Sequence, residues 1–301
     1  MTDHLRVAVT GPTGLLGTHL REHLADLGHQ VHQVVRRREL ATGGDIYYSP
    51  SAGEIDAHGF QGVDVVVHLA GHPIGGERWT DEVRRKIRDS RVQGTSLLAE
   101  ALASLDAPPT VLVSASAVGY YGDRGDEILT ESSRPGGDFL AEVCVAWEAA
   151  AEPARAAGIR VVHPRTGIVL GQGAPLIEKI ELPFKLGVGG RIGDGRTWYP
   201  WIALEDEIRA LWFCATSELS GGVNLTSPNP VRNAELTKAL GEAMRRPTMF
   251  PVPALALRAL YGQMGVTLAT TSGRALPEKL LEAGFQFRYR YVREALQAVF
   301  G

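Results

Sequence analysis

Cysteine is scarce in this 301-residue chain: Cys144 and Cys214 are its two thiols, too few and too far apart for a disulfide framework or a Cys-based metal site. That scarcity fits a reducing compartment. Charge of one sign is also missing. With 31 Lys and Arg against 34 Asp and Glu, the net charge is −3, which gives nucleic acid or a polybasic membrane contact no footing. No apolar run approaches the roughly 18 residues of a membrane span. The chain runs from Met1 through Thr2, Asp3, His4 and Leu5 directly into an apolar strand pattern, with no room for a signal peptide. A cytoplasmic location is therefore expected, and Asn224-Leu225-Thr226 is read as a chance match to a glycosylation acceptor. Repeats and low-complexity tracts are absent. What remains, 44% hydrophobic and 22% charged residues, is ordinary globular composition. The length allows one large α/β domain with a smaller lobe, or two domains.

The most informative stretch is Arg6 to Gly17, R-V-A-V-T-G-P-T-G-L-L-G. A buried strand (Val7, Ala8, Val9) ends at Thr10, and glycines follow at 11, 14 and 17 as a helical pattern opens at Leu15 and Leu16. Gly11 permits a tight turn, Gly14 lets backbone approach a ligand, and Gly17 allows close helix–strand packing. The helix start offers free N–H groups and the positive end of its dipole, which suits a pyrophosphate. An ordinary glycine-rich βα turn is the plain alternative.

Leu16, Leu20, Leu24 and Leu27 continue the helix, and Gly28 stands where a C-cap belongs. His29 to Arg36 reads as the second strand, ending in Arg36, Arg37 and Arg38. Position 36 is about where an NAD site places an acid on the ribose 2′-hydroxyl; an arginine there fits a 2′-phosphate and favours NADP(H), with a solvated basic loop as the alternative. Further strands are expected at Asp45–Pro50, Val63–Ala70, Thr110–Ser116, Ile159–His163 and Val223–Leu225. Helices are expected from Thr80, an N-cap, to Ser104 with a possible break at Gly94, then over Phe139–Ala157, Leu204–Ser217 and Asn233–Met244. Such alternation implies βαβ units and a Rossmann-like, doubly wound parallel sheet of the α/β class. Three prolines in Arg246–Pro253 suggest a linker, leaving 246–301 as a small, mainly helical lobe after a 1–245 dinucleotide-binding domain.

The G-x-x-G-x-x-G turn, L-A-G at 69–71 and S-A-S-A-V-G-Y-Y-G at 114–122 resemble extended short-chain dehydrogenase/reductases of the sugar-nucleotide epimerase type. R-W-T at 78–80, D-S-R at 89–91, G-D-F-L-A at 137–141, R-T-G-I-V-L-G at 165–171, P-W-I at 200–202 and L-E-A-G-F-Q-F-R-Y at 281–289 narrow the resemblance. They match the atypical subgroup called "epimerase family protein", which carries a small C-terminal domain of unknown function. The resemblance spans essentially the whole chain. It implies cofactor contacts at Gly11, Thr13, Gly14, Leu15, Leu16, Gly17, Arg36, Leu69, Ala70 and Gly71. On the nicotinamide side it implies Ser114, Ala115 and Val169.

The superfamily's acid/base tyrosine, with lysine four residues on, has no counterpart: no tyrosine here is followed at that spacing by lysine. The resemblance puts Leu140 and Cys144 at those two positions, Arg91 at the usual asparagine position and Ser116 at the usual serine position. Candidate chemistry therefore falls to Ser116, as a hydrogen-bonding group, and Arg91, as an anion or oxyanion holder. Their structural alternatives are a strand-end hydrogen bond for Ser116 and a salt bridge to Asp89 or Glu142 for Arg91. Cys144 reads better as packing than as a nucleophile. Tyr120 and Tyr121 could offer a substitute phenol or pack in their loop, and Lys86 could reach cofactor or solvent. Arg191, Arg196 and the aromatics from Trp198 to Trp201 would line an opening for an unknown small-molecule substrate, unless they pack the lobe onto the sheet. The functional expectation is an NADP(H)-dependent oxidoreductase with epimerase-like architecture; a non-catalytic NADP(H)-binding redox sensor or interaction protein is the alternative.

Overall fold

The computed structural model describes residues 4–249 and 251–301. The lead-in at Met1–Asp3 and Phe250 of the expected linker lie outside the described residues. In chain order the strands are β1 (Arg6–Thr10), β2 (Gln30–Val35), β3 (Ile46–Ser49), β4 (Glu54–Ile55), β5 (Val65–His68), β6 (Val111–Ser114), β7 (Ser116–Ala117), β8 (Ile128–Leu129), β9 (Arg160–Thr166), β10 (Ile168–Leu170), β11 (Trp198–Tyr199), β12 (Trp201–Ala203), β13 (Gly221–Leu225), β14 (Val231–Arg232) and β15 (Arg274–Ala275). The helices are α1 (Leu15–Asp26), α2 (Asp81–Ala103), α3 (Phe139–Ala149), α4 (Glu152–Ala156), α5 (Pro175–Lys185), α6 (Leu204–Thr216), α7 (Asn233–Met244), α8 (Ala254–Thr270), α9 (Glu278–Glu282) and α10 (Val292–Phe300).

A nine-stranded sheet runs β13-β9-β6-β5-β1-β2-β3-β4, with β7 also joined to β9. All its pairings are parallel except that of β3 with β4. This is the expected doubly wound α/β fold. The inner strands are continuous apolar runs because both faces are covered. Val7, Val9, Val65, Val67, Val111 and Val113 pack on one side with Leu20 of α1 and Ile208 and Leu211 of α6. Ala8, Val66 and Leu112 face Leu98 and Leu102 of α2 and Ala154 of α4. Each of those fully buried valines contributes on the order of 1.5 kcal/mol.

The chain winds outward from β1 through β2 and β3, then returns to the other side of β1 as β5. The carboxyl ends of β1 and β5 therefore flank the topological switch point, where open α/β sheets bind ligands.

Three expectations need adjusting. The Phe139–Ala157 helix is two helices, α3 and α4, because Pro153 starts a new first turn. α2 runs unbroken through Gly94; that glycine is needed for packing, since a Cβ there would lie 2.8 Å from the Tyr48 hydroxyl. β9 continues past His163 to Thr166. Pro164 is tolerated there because it falls at the gap between β6 and β7, where the Ala115 amide turns to the His68 carbonyl.

The C-terminal segment lies along the β13 end of the sheet. β15 pairs in parallel with β8. The buried Asp206 carboxylate accepts the backbone N–H groups of Arg288 and Tyr289 at 2.8 Å each. Val292, Ala295 and Leu296 of α10 pack with Leu236, Ala239 and Leu240 of α7.

Candidate functional site

The first glycine turn closes the switch point from one side. Gly11 has φ +67°, and a Cβ on it would sit 3.2 Å from the backbone of Leu69 and Ala70, so the two strand-end loops nearly touch. A Cβ on Gly17 would lie 2.2 Å from the Gly11 carbonyl oxygen, so only glycine lets α1 pack this close to the turn. Gly14 differs. Its φ is −75° and a Cβ would meet only the Gly11 carbonyl at 3.4 Å, so the protein itself does not demand glycine there. The space left is over the exposed turn of Thr13 and Gly14. Gly14 is also the N-cap of α1, which has neither a capping side chain nor an acidic residue in its first turn. The positive helix end is therefore left for an anion. Leu15 and Leu16 are half-buried and pack into the sheet core.

The other side is set by a buried polar chain. Thr10 Oγ1 accepts the N–H groups of Leu69 (3.0 Å) and Ala70 (3.1 Å) and lies 2.7 Å from His68 Nδ1. With both lone pairs engaged, the hydroxyl donates to Nδ1, which fixes His68 as the tautomer protonated on Nε2. Nε2 then donates to Thr95 Oγ1 (3.1 Å), which also accepts Trp147 Nε1–H (2.9 Å). Burial pushes the His68 imidazole down to about 4, keeping it neutral. The chain locks the Leu69-Ala70-Gly71 loop against the sheet.

Arg91 lies directly beneath that loop. A Cβ on Gly71 would stand 3.2 Å from its guanidinium carbon. The guanidinium donates to the carbonyls of His72 (2.9 Å) and Ile87 (3.1 Å) and sits 4.9 Å from the Trp147 ring centroid, while Nε has no partner. It binds carbonyls instead of the carboxylates of Asp89 or Glu142. Burial draws its pKa down to about 10, so it stays a cation at neutral pH. Next to it the Cys144 thiol is buried and in no disulfide, and desolvation pushes its pKa up to about 12. A thiol held protonated supplies no nucleophile.

Ser114 and Ala115 continue the ridge beside His68: Ser114 is the register partner of His68, and its buried hydroxyl has no partner. Ser116 Oγ donates to Glu148 Oε1 at 2.7 Å. Glu148 in turn holds Arg165 bidentately, at 2.8 and 2.9 Å, and Arg165 donates to the Tyr121 hydroxyl at 3.0 Å. Tyr121 donates to Asn224 Oδ1 (2.7 Å), so its phenol is committed to the core. The Arg165 guanidinium also stacks 3.4 Å above the Tyr120 ring. With its proton given to Glu148, the buried Ser116 hydroxyl is left able only to accept further hydrogen bonds. Sequence reasoning missed the Glu148–Arg165 pair as a site element. The signal available was Arg165 at the carboxyl end of β9, a charged residue in a strand expected to be buried.

The remaining candidates spread outward. Arg36 follows the end of β2 and is exposed. Its neighbours are already paired, Arg37 with Glu39 at 3.8 Å and Arg38 with Glu54 at 3.1 Å, whereas Arg36 makes no hydrogen bond or ion pair with the described residues. Lys86 faces solvent and pairs with Glu82 at 2.7 Å. Val169 is half-buried on β10, in register with Ile202 of β12. Of the aromatics, Trp201 is fully buried and Tyr199 donates to the Ala269 carbonyl at 2.7 Å, so these two pack the C-terminal segment onto the sheet. Trp198 is half-buried and donates to Asp126 at 2.7 Å. Among the described residues no cluster of His, Cys, Asp or Glu could hold a metal ion, and no helix is long and apolar enough to cross a membrane.

The comparisons agree with this architecture. Residues 7–225 match the model of the NAD dependent epimerase/dehydratase family, and residues 252–299 match a domain of unknown function, DUF1731. An epimerase family protein of Mycobacterium tuberculosis is 43% identical over 291 residues, 96% of each chain. A chloroplastic epimerase family protein of Arabidopsis thaliana is 37% identical over 99% of this chain and 87% of its own. The human epimerase family protein SDR39U1, solved with NADPH, superposes with a TM-score of 0.85 at 29% identity over 98% of this chain and 99% of that one. The chain thus belongs to the NAD dependent epimerase/dehydratase family, within the group of epimerase family proteins that end in the DUF1731 domain.

Proposed function

We propose that this protein binds NADP(H) across the switch point and acts as an oxidoreductase on a small substrate bearing a hydroxyl or carbonyl. The observation that carries the cofactor assignment is Arg36: the one member of its arginine triplet without a carboxylate partner stands at the end of β2, one strand from the open N-terminus of α1. Guanidinium charge and geometry suit a ribose 2′-phosphate. The Gly14 turn would hold the pyrophosphate, and Leu69, Ala70, Gly71, Ser114, Ala115 and Val169 would line the rest. When bound, the nicotinamide supplies a two-electron exchange with a carbon bearing oxygen. Human SDR39U1 was solved with NADPH, which supports the same ligand here.

Ser116 accepts a hydrogen bond from the substrate hydroxyl, its own proton being held by Glu148. Arg91 supplies a fixed positive charge under Gly71, in a site where Cys144 cannot. Lys86 stays on the solvent face of α2 and reaches cofactor only by giving up Glu82. The chain divides after Arg245, which ends α7 with φ +53° ahead of Pro247, Pro251 and Pro253. Residues 1–245 bind the dinucleotide, and 246–301 complete the substrate cleft. Two buried free thiols fit a cytoplasmic protein, and the net charge of −3 fits one without a nucleic-acid partner.

The test is calorimetric titration of NADPH and NADH into the protein and into Arg36→Ala, followed by a panel of carbonyls with NADPH and of alcohols with NADP+, with Ser116→Ala as control. Arg36→Ala should weaken NADPH by roughly ten- to a hundredfold and leave NADH unchanged, the size of one charged hydrogen bond. Equal binding of NADH and NADPH by the unmutated protein refutes the cofactor assignment. Tight cofactor binding without turnover of any carbonyl or alcohol favours the second reading, a non-catalytic redox sensor, to which the missing Tyr-x-x-x-Lys pair also points.

A further inference from the structure

Arg91 is a buried cation with no counterion. It is 8% exposed, and its guanidinium donates to the carbonyls of His72 at 2.9 Å and Ile87 at 3.1 Å, leaving Nε without a partner. No carboxylate pairs with it among the described residues. Arg165, 4% exposed, shows the usual arrangement: Glu148 holds it through two hydrogen bonds. Buried charges are ordinarily paired because desolvating a lone ion is costly. Two carbonyl dipoles and the Trp147 ring, 4.9 Å away, offset the charge of Arg91 only in part. The Cys144 thiol beside it, held protonated by burial, adds no negative charge.

This cation stands under one half of the proposed cofactor path. The strand order β6-β5-β1-β2 puts Ser114 at the end of β6, Gly71 after β5, the Gly14 turn after β1 and Arg36 after β2. A dinucleotide with its 2′-phosphate on Arg36 and its pyrophosphate on the Gly14 turn would therefore carry its nicotinamide to the ends of β5 and β6. There a Cβ on Gly71 would lie 3.2 Å from the Arg91 guanidinium carbon, so an exposed glycine is what covers the cation. Other cations nearby are neutralised or screened. Arg165 is paired with Glu148 and Lys86 with Glu82, while Lys179 is exposed with its ammonium on the Gly75 carbonyl.

The two redox forms of the cofactor differ by one charge at the nicotinamide: the oxidised ring is a cation and the reduced ring is neutral. Their phosphates are the same, so Arg36 and the α1 N-terminus contribute equally to both. We infer that Arg91 makes the site selective for redox state, favouring NADPH over NADP+ through like-charge repulsion across Gly71. This rests on the proposed reading of the cleft as a cofactor site and goes beyond it by assigning which form is held. Such repulsion in a partly buried site is worth roughly ten- to a hundredfold in affinity. By linkage, each tenfold preference for the reduced form raises the potential of the bound two-electron couple by about 30 mV. The bound couple is thus a stronger oxidant than the free one, which matches a site whose Ser116 accepts from a substrate hydroxyl.

The experiment titrates NADPH and NADP+ separately by calorimetry at constant ionic strength and reads the ratio of their dissociation constants. It compares the unmutated protein with Arg91→Lys, Arg91→Met, Arg91→Gln and Arg36→Ala. The unmutated protein should hold NADPH at least roughly tenfold more tightly than NADP+. Arg91→Met and Arg91→Gln, two different charge-free replacements, should bring the two constants within about threefold of each other. Arg91→Lys should keep most of the preference. Arg36→Ala should weaken both forms by the same factor and leave the ratio unchanged. Equal affinity for the two forms in the unmutated protein, or tighter binding of NADP+, overturns the inference whether or not any variant folds. An unchanged ratio in a folded charge-free variant assigns the preference to another group and also overturns it. Equal binding that still depends on Arg36 removes the inference alone, whereas failure of both forms to bind removes the cofactor reading with it.

Discussion

Glu207 offers the sharpest quantitative test of the fold around the site. It stands in the first turn of α6, fully buried, with Oε1 accepting the Thr166 hydroxyl at 2.7 Å and Oε2 without any partner. Desolvation raises its pKa from 4.5 to about 8, and the Thr166 hydrogen bond offsets only part of that. The folded protein therefore keeps this proton up to about pH 8, whereas the unfolded chain releases it near 4.5. Between those values the folded state holds the extra proton, so this group's contribution to stability is fully present below pH 4.5 and is lost as pH rises, levelling off above 8. The loss between roughly pH 5.5 and 8.5 is about 3 kcal/mol at 1.4 kcal/mol per pH unit, less the curvature near each pKa. Glu207→Gln keeps an acceptor for Thr166 and cannot titrate. Any cost of its amide is independent of pH and drops out of the difference. Urea unfolding at several pH values should show the stability of Glu207→Gln relative to the unmutated protein rising by about 3 kcal/mol across that range. Parallel pH profiles would show that Glu207 is solvated or paired and would refute the reasoning.

Gly17→Ala places a methyl 2.2 Å from the Gly11 carbonyl, a backbone atom that cannot swing aside. It should cost on the order of 2 kcal/mol or more and abolish NADPH binding in calorimetry, whereas Gly14→Ala should fold normally and lose affinity only. Asp206→Ala removes the acceptor of two backbone N–H groups and the partner of Arg209, which lies 3.0 Å away. The expected loss is about 3 kcal/mol, with the segment beyond Arg288 becoming the first site of cleavage in limited proteolysis.

The parts of this molecule that could be read from its residues are those set by local chemistry. The apolar runs of β1, β5 and β6, the left-handed Gly28 after α1 and the Thr80 cap of α2 each follow from neighbours in sequence. So does the glycine turn in part, since Gly11 takes a positive φ and Gly17 packs on the Gly11 carbonyl within the same βα unit, whereas the closeness of Gly11 to Leu69 and Ala70 comes from the fold. Gly94 misled because its reason is the Tyr48 hydroxyl, in another element. Arg91 was recognised by position, yet its partners are carbonyls and an indole ring, which no charge pattern discloses. Glu148, Arg165 and Ser116 are far apart in sequence and meet only because β7 pairs with β9 while α3 crosses behind them.

That meeting point bears on what replaces the missing tyrosine and lysine. A Tyr-Lys pair would combine a proton carrier with a nearby cation. Here the two properties are separated. The cation is present twice: Arg91 under Gly71, and Arg165 behind Ser116 and stacked on Tyr120. Neither sits beside a free acid. The Tyr121 phenol is bound between Arg165 and Asn224, and the Cys144 thiol is held protonated by burial. Ser116 keeps its lone pairs while its proton points inward to Glu148, and the buried Ser114 hydroxyl beside His68 has no partner among the described residues. A group that must accept from the substrate oxygen binds an alcohol well and a carbonyl poorly, because a carbonyl oxygen has no hydrogen to offer. In the proposed reading Ser116 therefore recognises a hydroxyl-bearing substrate, and a carbonyl would draw its donor from another group, such as the Ser114 hydroxyl.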